Sequence, residues 1–469
     1  MIFNRKLLQI VMGVILTGCI YSPAVIHNVV GIDVSSVQPV LVIGGTQGTG
    51  HSQFNEPDSV YVDASGRIYA GDTKNLRVQI FSPDGVYLSE ITEGFTPLAD
   101  ASGNEAQGLA ELSNGTLVVV EKAGNLFAFN KDTGALTGKI DLKALMTASQ
   151  WDTQGLVVDT TTDNVYITNQ PEQTIMIVNA NGTLVNSIVL EASATPENMA
   201  LDKGRDRIFV SAEGLKRIDY LSFNGTEIGY FGEAEATGNY EGLALDPLGN
   251  ILAVNEGPDS ATSKILSSIV IFDHSNYSAV YQWGGTDHTA EGEFLSPDGI
   301  AYDFYKNQVI IADQGNFRLQ VFDYIDILKT SGIYDDTTAP TVSAPTDVTF
   351  ATGSDQTISW TISDNSPFGG SYTILIDGSN PQAGRFGKDS SDVTLGLSSL
   401  SVGTHGLQID VVDAFGNTAT DKVSVIVNDV PTSSTPTSEK SNSSSSPFDP
   451  SLAILTFIAI PILKKKKLL

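Results

Sequence analysis

Residues 54–63 have the sequence Phe-Asn-Glu-Pro-Asp-Ser-Val-Tyr-Val-Asp and are followed by Arg-Ile-Tyr-Ala-Gly-Asp at 67–72. This sequence pattern recurs along the chain. A second full copy, Leu-Ser-Pro-Asp-Gly-Ile-Ala-Tyr-Asp at 295–303, leads into Gln-Val-Ile-Ile-Ala-Asp at 308–313. Between them stand the shorter copies GLAEL (108–112), GLVVD (155–159), NMALD (198–202) and GLALD (242–246). Successive copies lie 49, 47, 43, 44 and 57 residues apart. One structural unit is therefore repeated six times.

Each copy contains four short runs in which apolar and polar residues alternate, the pattern of half-buried β-strands. In the first copy the predicted strands are 59–63, 67–71, 77–81 and 86–91. Four strands in a period of about 40–50 residues are typical of a β-propeller with one blade per copy. The sixth copy ends after its third strand, 318–322, and PVLVIGG at 39–45 resembles the fourth strand of the fifth copy. We therefore expect 39–45 to complete the last sheet and close a six-bladed ring without an open edge.

Two of the copies resemble the NHL-repeat family. The segments DTKNLRVQIF at 72–81 and DQGNFRLQVF at 313–322 keep an Asp…Asn-x-Arg pattern, and each follows a Pro-Asp-x-Val/Ile opening. The four middle copies keep the strand rhythm and lack the Asp–Arg pair. The resemblance covers residues 38–330 and implies a six-bladed NHL-like propeller. We interpret the pairs Asp72–Arg77 and Asp313–Arg318 as structural ties within a blade.

Residues 338–430 follow a different pattern. Alternating runs at 358–362, 372–376, 406–412 and 422–427 belong to about seven short strands, which is typical of a β-sandwich. The segment Asp-Ala-Phe-Gly-Asn at 413–417 resembles a turn of Ig-like domains in prokaryotic surface proteins. Asp413 is interpreted either as stabilising this turn or as a calcium ligand. The predicted fold class is all-β, a six-bladed NHL-like β-propeller followed by an Ig-like β-sandwich that acts as a spacer.

The N-terminus carries the pattern of an export signal. Arg5 and Lys6 precede an apolar run that ends at Cys19, which predicts a signal peptide at 1–19 followed by a linker at 20–37. Leu-Thr-Gly-Cys at 16–19 resembles a lipobox and implies lipidation of Cys19, whereas in an ordinary signal peptide this cysteine has no role. Cys19 is the only cysteine in the sequence, so the chain cannot form an intramolecular disulfide.

The C-terminus has the order of a surface tether. A Ser/Thr/Pro-rich stalk at 431–447 precedes a short apolar stretch and four lysines within 448–469. This order resembles the C-terminal surface-sorting tails of prokaryotes, and a permanent hydrophobic anchor is the alternative. Either version predicts a protein exported to the extracellular face of the cell membrane. The membrane is then contacted through this anchor or through a lipid.

The net negative charge of the chain limits the classes of partner that it can bind. The formal net charge is −28. Removing 1–19 and 449–469 takes away six basic residues and one acidic residue, which leaves 20 basic against 53 acidic residues, a net charge of −33. A surface this negative repels nucleic acid and anionic lipid, so we exclude both as partners. A surface of this charge is compatible with binding divalent cations or cationic partners, and also with adaptation to a salty medium.

One column of the repeat carries the strongest candidate site. The residue just before each innermost strand is polar in every copy, and the six are Asp58, Gln107, Gln154, Glu197, Glu241 and Asp298. Because the innermost strands line the axis of a propeller, we expect these residues to surround one mouth of the channel. Four converging carboxylates repel one another unless a cation, protons or water intervene. We predict a site for a hard cation such as Ca²⁺ on Asp58, Glu197, Glu241 and Asp298, or a water-filled mouth without metal.

Long connections are predicted to open on the same face and to form a ligand rim. The rim comprises Gln107, Gln154, Trp151, Asp152, Asn169, Tyr240 and Asn255. The resulting interpretation is a cell-surface module that binds a protein or carbohydrate ligand through this face.

The alternative is a calcium-dependent hydrolase or lyase of the gluconolactonase type. Oxygen ligands from Glu241, Asn169, Asn255 and Asp298 would serve it. No cysteine remains after residue 19 to act as a nucleophile, and the five histidines lie outside the innermost strands. The pattern therefore favours binding over catalysis, and no catalytic residue is assigned.

Overall fold

The computed structural model describes residues 37–95, 105–146, 150–233, 238–257, 267–284 and 288–430. Cys19, the export signal, the stalk at 431–447 and the tail at 448–469 lie outside these residues, so lipidation, anchoring and localisation stay predictions. Within the described ranges no helix combines the length and apolar character that a bilayer crossing requires.

Six four-stranded antiparallel sheets form the larger part of the described chain. Named from the innermost to the outermost strand, the first sheet contains Pro57–Val62, Ile68–Asp72, Arg77–Phe81 and Tyr87–Ile91; the second Ala106–Glu111, Thr116–Glu121, Asn125–Asn130 and Leu136–Asp141; the third Thr153–Asp159, Asn164–Asn169, Thr174–Val178 and Leu184–Val189; the fourth Pro196–Asp202, Arg207–Ala212, Arg217–Leu221 and Glu227–Phe231; the fifth Asn239–Leu245, Ile251–Glu256, Ser268–Phe272 and Ala279–Trp283; and the sixth Pro297–Asp303, Gln308–Asp313, Arg318–Asp323 and Leu41–Gly44.

The sixth sheet joins the two ends of this region. Leu41–Gly44 pairs antiparallel with Arg318–Asp323, with Leu41 opposite Val321. This is the pairing that the sequence predicted for 39–45. The innermost strands contact one another in chain order, and the first also contacts the sixth. The sheets therefore form a closed β-propeller in which the last sheet has no missing strand.

Apolar side chains fill the space between neighbouring sheets. Six separate apolar clusters lie around the ring, and one apolar column of the innermost strands contributes one residue to each of them: Val60, Leu109, Leu156, Met199, Leu243 and Ile300. The prediction that this column packs between blades is confirmed. Burying each such side chain contributes about 1.5–3 kcal/mol. The repeat thus sets the inter-sheet packing as well as the strands.

The two Asp–Arg pairs act as ties, as the sequence predicted. Arg77 Nε lies 2.7 Å from Asp72 Oδ2, and Arg318 Nε lies 2.6 Å from Asp313 Oδ2. Each arginine also donates to backbone carbonyls of the loop that precedes its sheet, for example from Arg77 Nη2 to Gln53 O at 2.9 Å. The pairs therefore fasten the incoming loops of the first and sixth sheets.

One helix was not predicted. Tyr324–Ser331 follows the last strand of the propeller directly, and the Asp323 side chain accepts a hydrogen bond from Asp326 N at its start. Gly332 ends the helix with a φ of 71°, a conformation that glycine adopts without strain. The apolar residues Ile325, Ile327 and Leu328 are buried. This helix connects the propeller to the C-terminal domain.

Two sheets share one apolar core in the C-terminal domain, which has eight strands where about seven were expected. One sheet contains Thr341–Val342, Thr357–Ser363 and Ser391–Gly396, and the other contains Val348–Ala351, Thr418–Asn428, Gly403–Asp413, Gly370–Ile376 and Ser379–Phe386. Trp360 lies fully buried between them, and its Nε1 donates to Asp421 Oδ2 at 2.8 Å.

Candidate functional site

The six polar residues of the repeat column lie inside the innermost strands and not just before them, at the second position of five strands and the third position of Asn239–Leu245. Each lies at an irregularity of strand register, as Asp58 does between Pro57 and Ser59 and Glu241 between Tyr240 and Leu243. The other four irregularities enclose Gln107, Gln154, Glu197 and Asp298. A β-bulge leaves a residue outside the ladder and re-aims its side chain. Bulges therefore turn one polar side chain of every sheet towards the axis.

Close backbone packing fixes the ring at these bulges. A Cβ on Gly242 would lie 2.5 Å from Asp298 O, so the two neighbouring strands leave no room for a side chain. The backbone carbonyls of two other ring residues are held by hydroxyl groups. Ser211 Oγ donates to Glu241 O and Thr168 Oγ1 donates to Glu197 O, both at 2.6 Å. The backbone of the ring is thereby held in place by its neighbours.

All six ring residues line one cavity of about 240 Å³, which we call the acidic mouth. The cavity is completed by Glu56, Lys74, Glu105, Lys122, Glu256, Ser296, Pro297 and Gln314. Its lining thus holds seven carboxyl groups and two lysines. Lys74 Nζ is engaged by Glu105 Oε1 at 2.6 Å, and Lys122 Nζ lies 3.8 Å from both Glu105 and Asp152. None of the four ring carboxylates lies within 4.0 Å of a lysine, arginine or histidine nitrogen among the described residues, although the charge of Lys122 acts to lower the pKa of Asp298.

A second polar column, which the sequence analysis missed, supports the ring. It consists of the residues that follow Asp72, Glu121, Asn169, Ala212, Asn255 and Asp313, namely Thr73, Lys122, Gln170, Glu213, Glu256 and Gln314. Gln314 Nε2 donates to Asp58 Oδ1 at 2.5 Å, and Gln170 Nε2 donates to both Glu197 and Glu213. The signal was present in the repeat, because this position, which follows the second strand in five sheets and ends it in the fifth, is polar in all six copies.

Burial and mutual repulsion shift the acids of the ring. Burial raises the pKa of Asp58 to about 7, although hydrogen bonds from neighbouring side chains act against this. Burial, followed by the charge of Asp298, raises the pKa of Glu197 well above its ordinary range. Burial also raises the pKa of Glu241, together with the charge of Glu197, and that of Asp298, together with the charge of Asp58. Near neutral pH the mouth therefore keeps protons unless a cation replaces them.

The ring is wider than a metal site built from three carboxylates. Among the described residues, one group of three acidic side chains brings ligand atoms within 4.8 Å of one another, and it consists of Asp336, Asp364 and Asp413, none of which lines the mouth. Calcium–oxygen distances are about 2.3–2.6 Å. An ion in the mouth would therefore contact part of the ring directly and the rest through water. Calcium binding by Asp58, Glu197, Glu241 and Asp298 stays a prediction.

Three of the seven predicted rim residues, Gln107, Gln154 and Asp152, lie at or beside the mouth, and Trp151 does not. Gln107 and Gln154 line it. Gln154 Nε2 donates to Asp152 Oδ1 at 2.8 Å, and burial raises the pKa of Asp152. Trp151 is half-buried and packs against the apolar cluster between the second and third sheets.

The other three rim residues, Asn169, Tyr240 and Asn255, are fully buried, and their assignment to a ligand rim was wrong. Tyr240 donates its hydroxyl to Gly232 O at 2.9 Å, inside an apolar cluster. Asn169 Oδ1 accepts from Asp152 N at 3.0 Å, and Asn255 Oδ1 accepts from Gly238 N at 3.3 Å. Asn169 is the last residue of its second strand and Asn255 the last but one of its own, and both bind loop backbone there. The gluconolactonase interpretation thereby loses two of its four proposed oxygen ligands.

Further along the axis the channel becomes apolar. A second cavity of about 390 Å³ is lined mainly by the apolar column that includes Leu109, Leu156, Met199, Leu243 and Ile300, together with polar residues such as Asp63, Glu111 and Asn198. A cation that enters the acidic mouth would meet this apolar surface beyond the ring. The arrangement favours holding a charged group at the mouth over conducting it through the channel.

Comparison with known proteins identifies the repeat. Residues 54–81 match the family model of the NHL repeat. NHL repeat-containing protein 3 of Homo sapiens is 40% identical over 58 residues, which are 12% of this chain and 17% of that protein. The chain thus matches about a sixth of the length of this curated relative. A solved Bacteroides thetaiotaomicron protein of unknown function is similar at 14% identity and a TM-score of 0.48, over 61% of this chain and 75% of its own. Virginiamycin B lyase from Staphylococcus aureus is similar at 12% identity and a TM-score of 0.41, over 60% and 87%.

Proposed function

We propose that this protein is an exported, membrane-tethered recognition module in which a six-bladed NHL propeller, carried on an Ig-like sandwich, binds a cationic group of a protein or carbohydrate ligand in its acidic mouth. The observation that carries the proposal is the lining of that mouth, where seven carboxyl groups face two lysines. The ring acids are rigidly held and have raised pKa values, so an incoming cation would stabilise their ionised form.

The width of the ring favours a ligand cation larger than a bare metal ion. No three ring carboxylates approach one another closely enough to share a bare ion. An ammonium or guanidinium group donates several hydrogen bonds in different directions and spans a wider set of acceptors. The ligand group is therefore a lysine or arginine side chain or a protonated amine, with hydrated Ca²⁺ as the inorganic equivalent.

The proposed location of the protein is the cell surface. It is supported by the export signal at 1–19 and by the polar stalk and lysine-tipped tail at 431–469. The net charge of −33 without the terminal segments fits a module that attracts cationic partners from solution. Tethering would act through lipid on Cys19 or through the C-terminal segment.

Calorimetric titration of the full-length protein with a lysine- and arginine-rich peptide tests this function. We expect binding to weaken at least about tenfold in the double variant Glu197→Gln/Glu241→Gln, and to be tighter at pH 8 than at pH 5.5 because the cation displaces protons. The exposed Asp389→Asn in the C-terminal domain is the control and should bind as the wild type does.

Two results would contradict the proposal. One is equal binding by wild type and double variant, with both shown to be folded by circular dichroism. The other is equal binding of the same peptide after its lysines are acetylated. A parallel titration with CaCl₂ separates metal binding from amine binding. Turnover of a lactone that is abolished by Glu241→Gln would replace the binding role with the enzymatic one.

A further inference from the structure

Three aspartates converge where the C-terminal domain meets the propeller. Asp336 lies between the helix and the first strand of that domain, Asp364 follows Thr357–Ser363, and Asp413 ends Gly403–Asp413. Their ligand atoms lie within 4.8 Å of one another. Asp336 and Asp413 are only 5% and 4% exposed. We call this group the junction cluster.

Two carboxylate oxygens of the junction cluster are buried without a partner. Asp336 Oδ1 accepts from Thr338 N at 2.9 Å, and Asp364 Oδ1 accepts from Asn365 N at 2.8 Å. The Oδ2 atoms of Asp336 and Asp364 are buried and receive no hydrogen bond from any described residue. A buried acceptor left unpaired is costly, and a buried anionic one more so.

No positive charge compensates the junction cluster within the described chain. None of its three carboxylates lies within 4.0 Å of a lysine, arginine or histidine nitrogen there. The geometry is that of a pocket of three carboxyl groups with two free oxygens, which a bound cation would satisfy.

We propose that the junction cluster binds a calcium ion through Asp336, Asp364 and Asp413. Two oxygens at about 2.4 Å from the same ion are separated by at most about 4.8 Å, and the three ligand atoms satisfy this limit without movement. Calcium takes six to eight oxygen ligands, so water and backbone carbonyls complete the coordination sphere. The site is independent of the acidic mouth, and it resolves the two interpretations of Asp413, which both stabilises its turn and binds the ion.

The ion would lock the C-terminal domain to the propeller. Asp336 belongs to the connecting segment, whereas Asp364 and Asp413 belong to two loops of the C-terminal domain. Asn417 Nδ2 already donates to Asp336 O at 2.8 Å, and Lys329 Nζ of the helix donates to Phe415 O at 3.0 Å. A cation shared by the segment and both loops adds charge-based links to these hydrogen bonds. The orientation of the propeller relative to its tether then depends on calcium.

Thermal unfolding of the full-length protein, first stripped with a chelator, tests the site with CaCl₂ alone. Because the mouth is also expected to accept hydrated Ca²⁺, the test is made in the Glu197→Gln/Glu241→Gln background, where we expect calcium at about 100 times its Kd to raise the melting temperature by about 3–6 °C and the addition of Asp364→Asn to abolish the rise. Asp364 is half-exposed and the amide keeps an oxygen acceptor for Asn365 N, so this variant should fold. The exposed Asp389→Asn is the matched control and should keep the full response.

The mouth variant Glu197→Gln/Glu241→Gln separates this site from the proposed function. It should lose peptide binding and keep the calcium response of the junction cluster, whereas Asp364→Asn alone should keep peptide binding. Terbium luminescence excited through tyrosine gives a second readout, because the Tyr334 ring packs against Phe415, two residues after Asp413, with 5.4 Å between the ring centroids. The assignment would be overturned if calcium left the melting temperature of the mouth variant unchanged. It would also be overturned if calcium raised the melting temperature as much after the addition of Asp364→Asn as before it.

Discussion

Replacing Asp58 by asparagine should stabilise the protein at neutral and alkaline pH. Burial raises the pKa of this carboxyl group from 3.8 to about 7, and only 7% of the residue is exposed, so solvent does little to reduce the effect. Each pH unit between the two pKa values is worth 1.36 kcal/mol. The difference of about three units therefore costs the wild type about 4 kcal/mol of folding free energy once the group is ionised.

The pH dependence has a definite direction. Because the folded protein holds the proton of Asp58 more tightly than the unfolded chain does, stability is lost as the pH rises from about 4 to about 7. The asparagine carries no proton to lose and still offers an oxygen to Gln314 Nε2. The stabilisation by the variant should thus be near zero at pH 4, grow by about 1.4 kcal/mol for each pH unit, and level off above pH 7.

Urea unfolding of wild type and Asp58→Asn at pH values from 4 to 8 measures this difference. The exposed Asp389→Asn should give a curve parallel to that of the wild type over the whole range. If Asp58→Asn also runs parallel to the wild type, or lowers the free energy of unfolding at pH 8, the argument that burial makes the ring acids unfavourable when charged is refuted.

Three further predictions concern the scaffold. Arg318→Ala leaves Asp313 buried without its partner and should cost about 3–5 kcal/mol in urea unfolding, while a cost below 1 kcal/mol would show that the tie is dispensable. Deleting residues 1–45 removes the outer strand of the sixth sheet and should lower the melting temperature and promote aggregation in light scattering, whereas an unchanged monomer would show that closure is unnecessary. Asn307→Ala removes the donor 3.0 Å from Phe368 O at the domain junction and should cost about 1–3 kcal/mol, with faster proteolysis between 332 and 340; unchanged proteolysis would argue against this role.

Much of the propeller could be predicted from local patterns. The repeat spacing gave the number of strands in each unit, and the incomplete sixth copy indicated where Leu41–Gly44 pairs. The column from Val60 to Ile300 was assigned to the space between sheets because strand residues alternate between two faces. In each case the signal is repeated, so an accidental match in one copy is outweighed by the others.

The sequence predicted where the site lies better than it predicted which residues belong to it. The six ring residues were found because their column is polar in every copy. Asn169 and Asn255 were misplaced because an asparagine at the end of a strand has the same sequence signature whether it faces a ligand or binds backbone amides. Tyr240 was misplaced for a similar reason, since only its burial against Phe272 and its hydrogen bond to Gly232 separate a core tyrosine from a rim tyrosine.

What the sequence by itself determined was the periodic part of the molecule: the strands, their closure into a ring and the acidic character of one mouth. These features follow from hydrophobic alternation and turn residues, which act over a few neighbours along the chain. Tertiary structure alone decided the bulges that aim the ring residues, the rise in their pKa values and the meeting of Asp336, Asp364 and Asp413. Distances and desolvation between residues far apart in sequence control all three, and no local pattern records them.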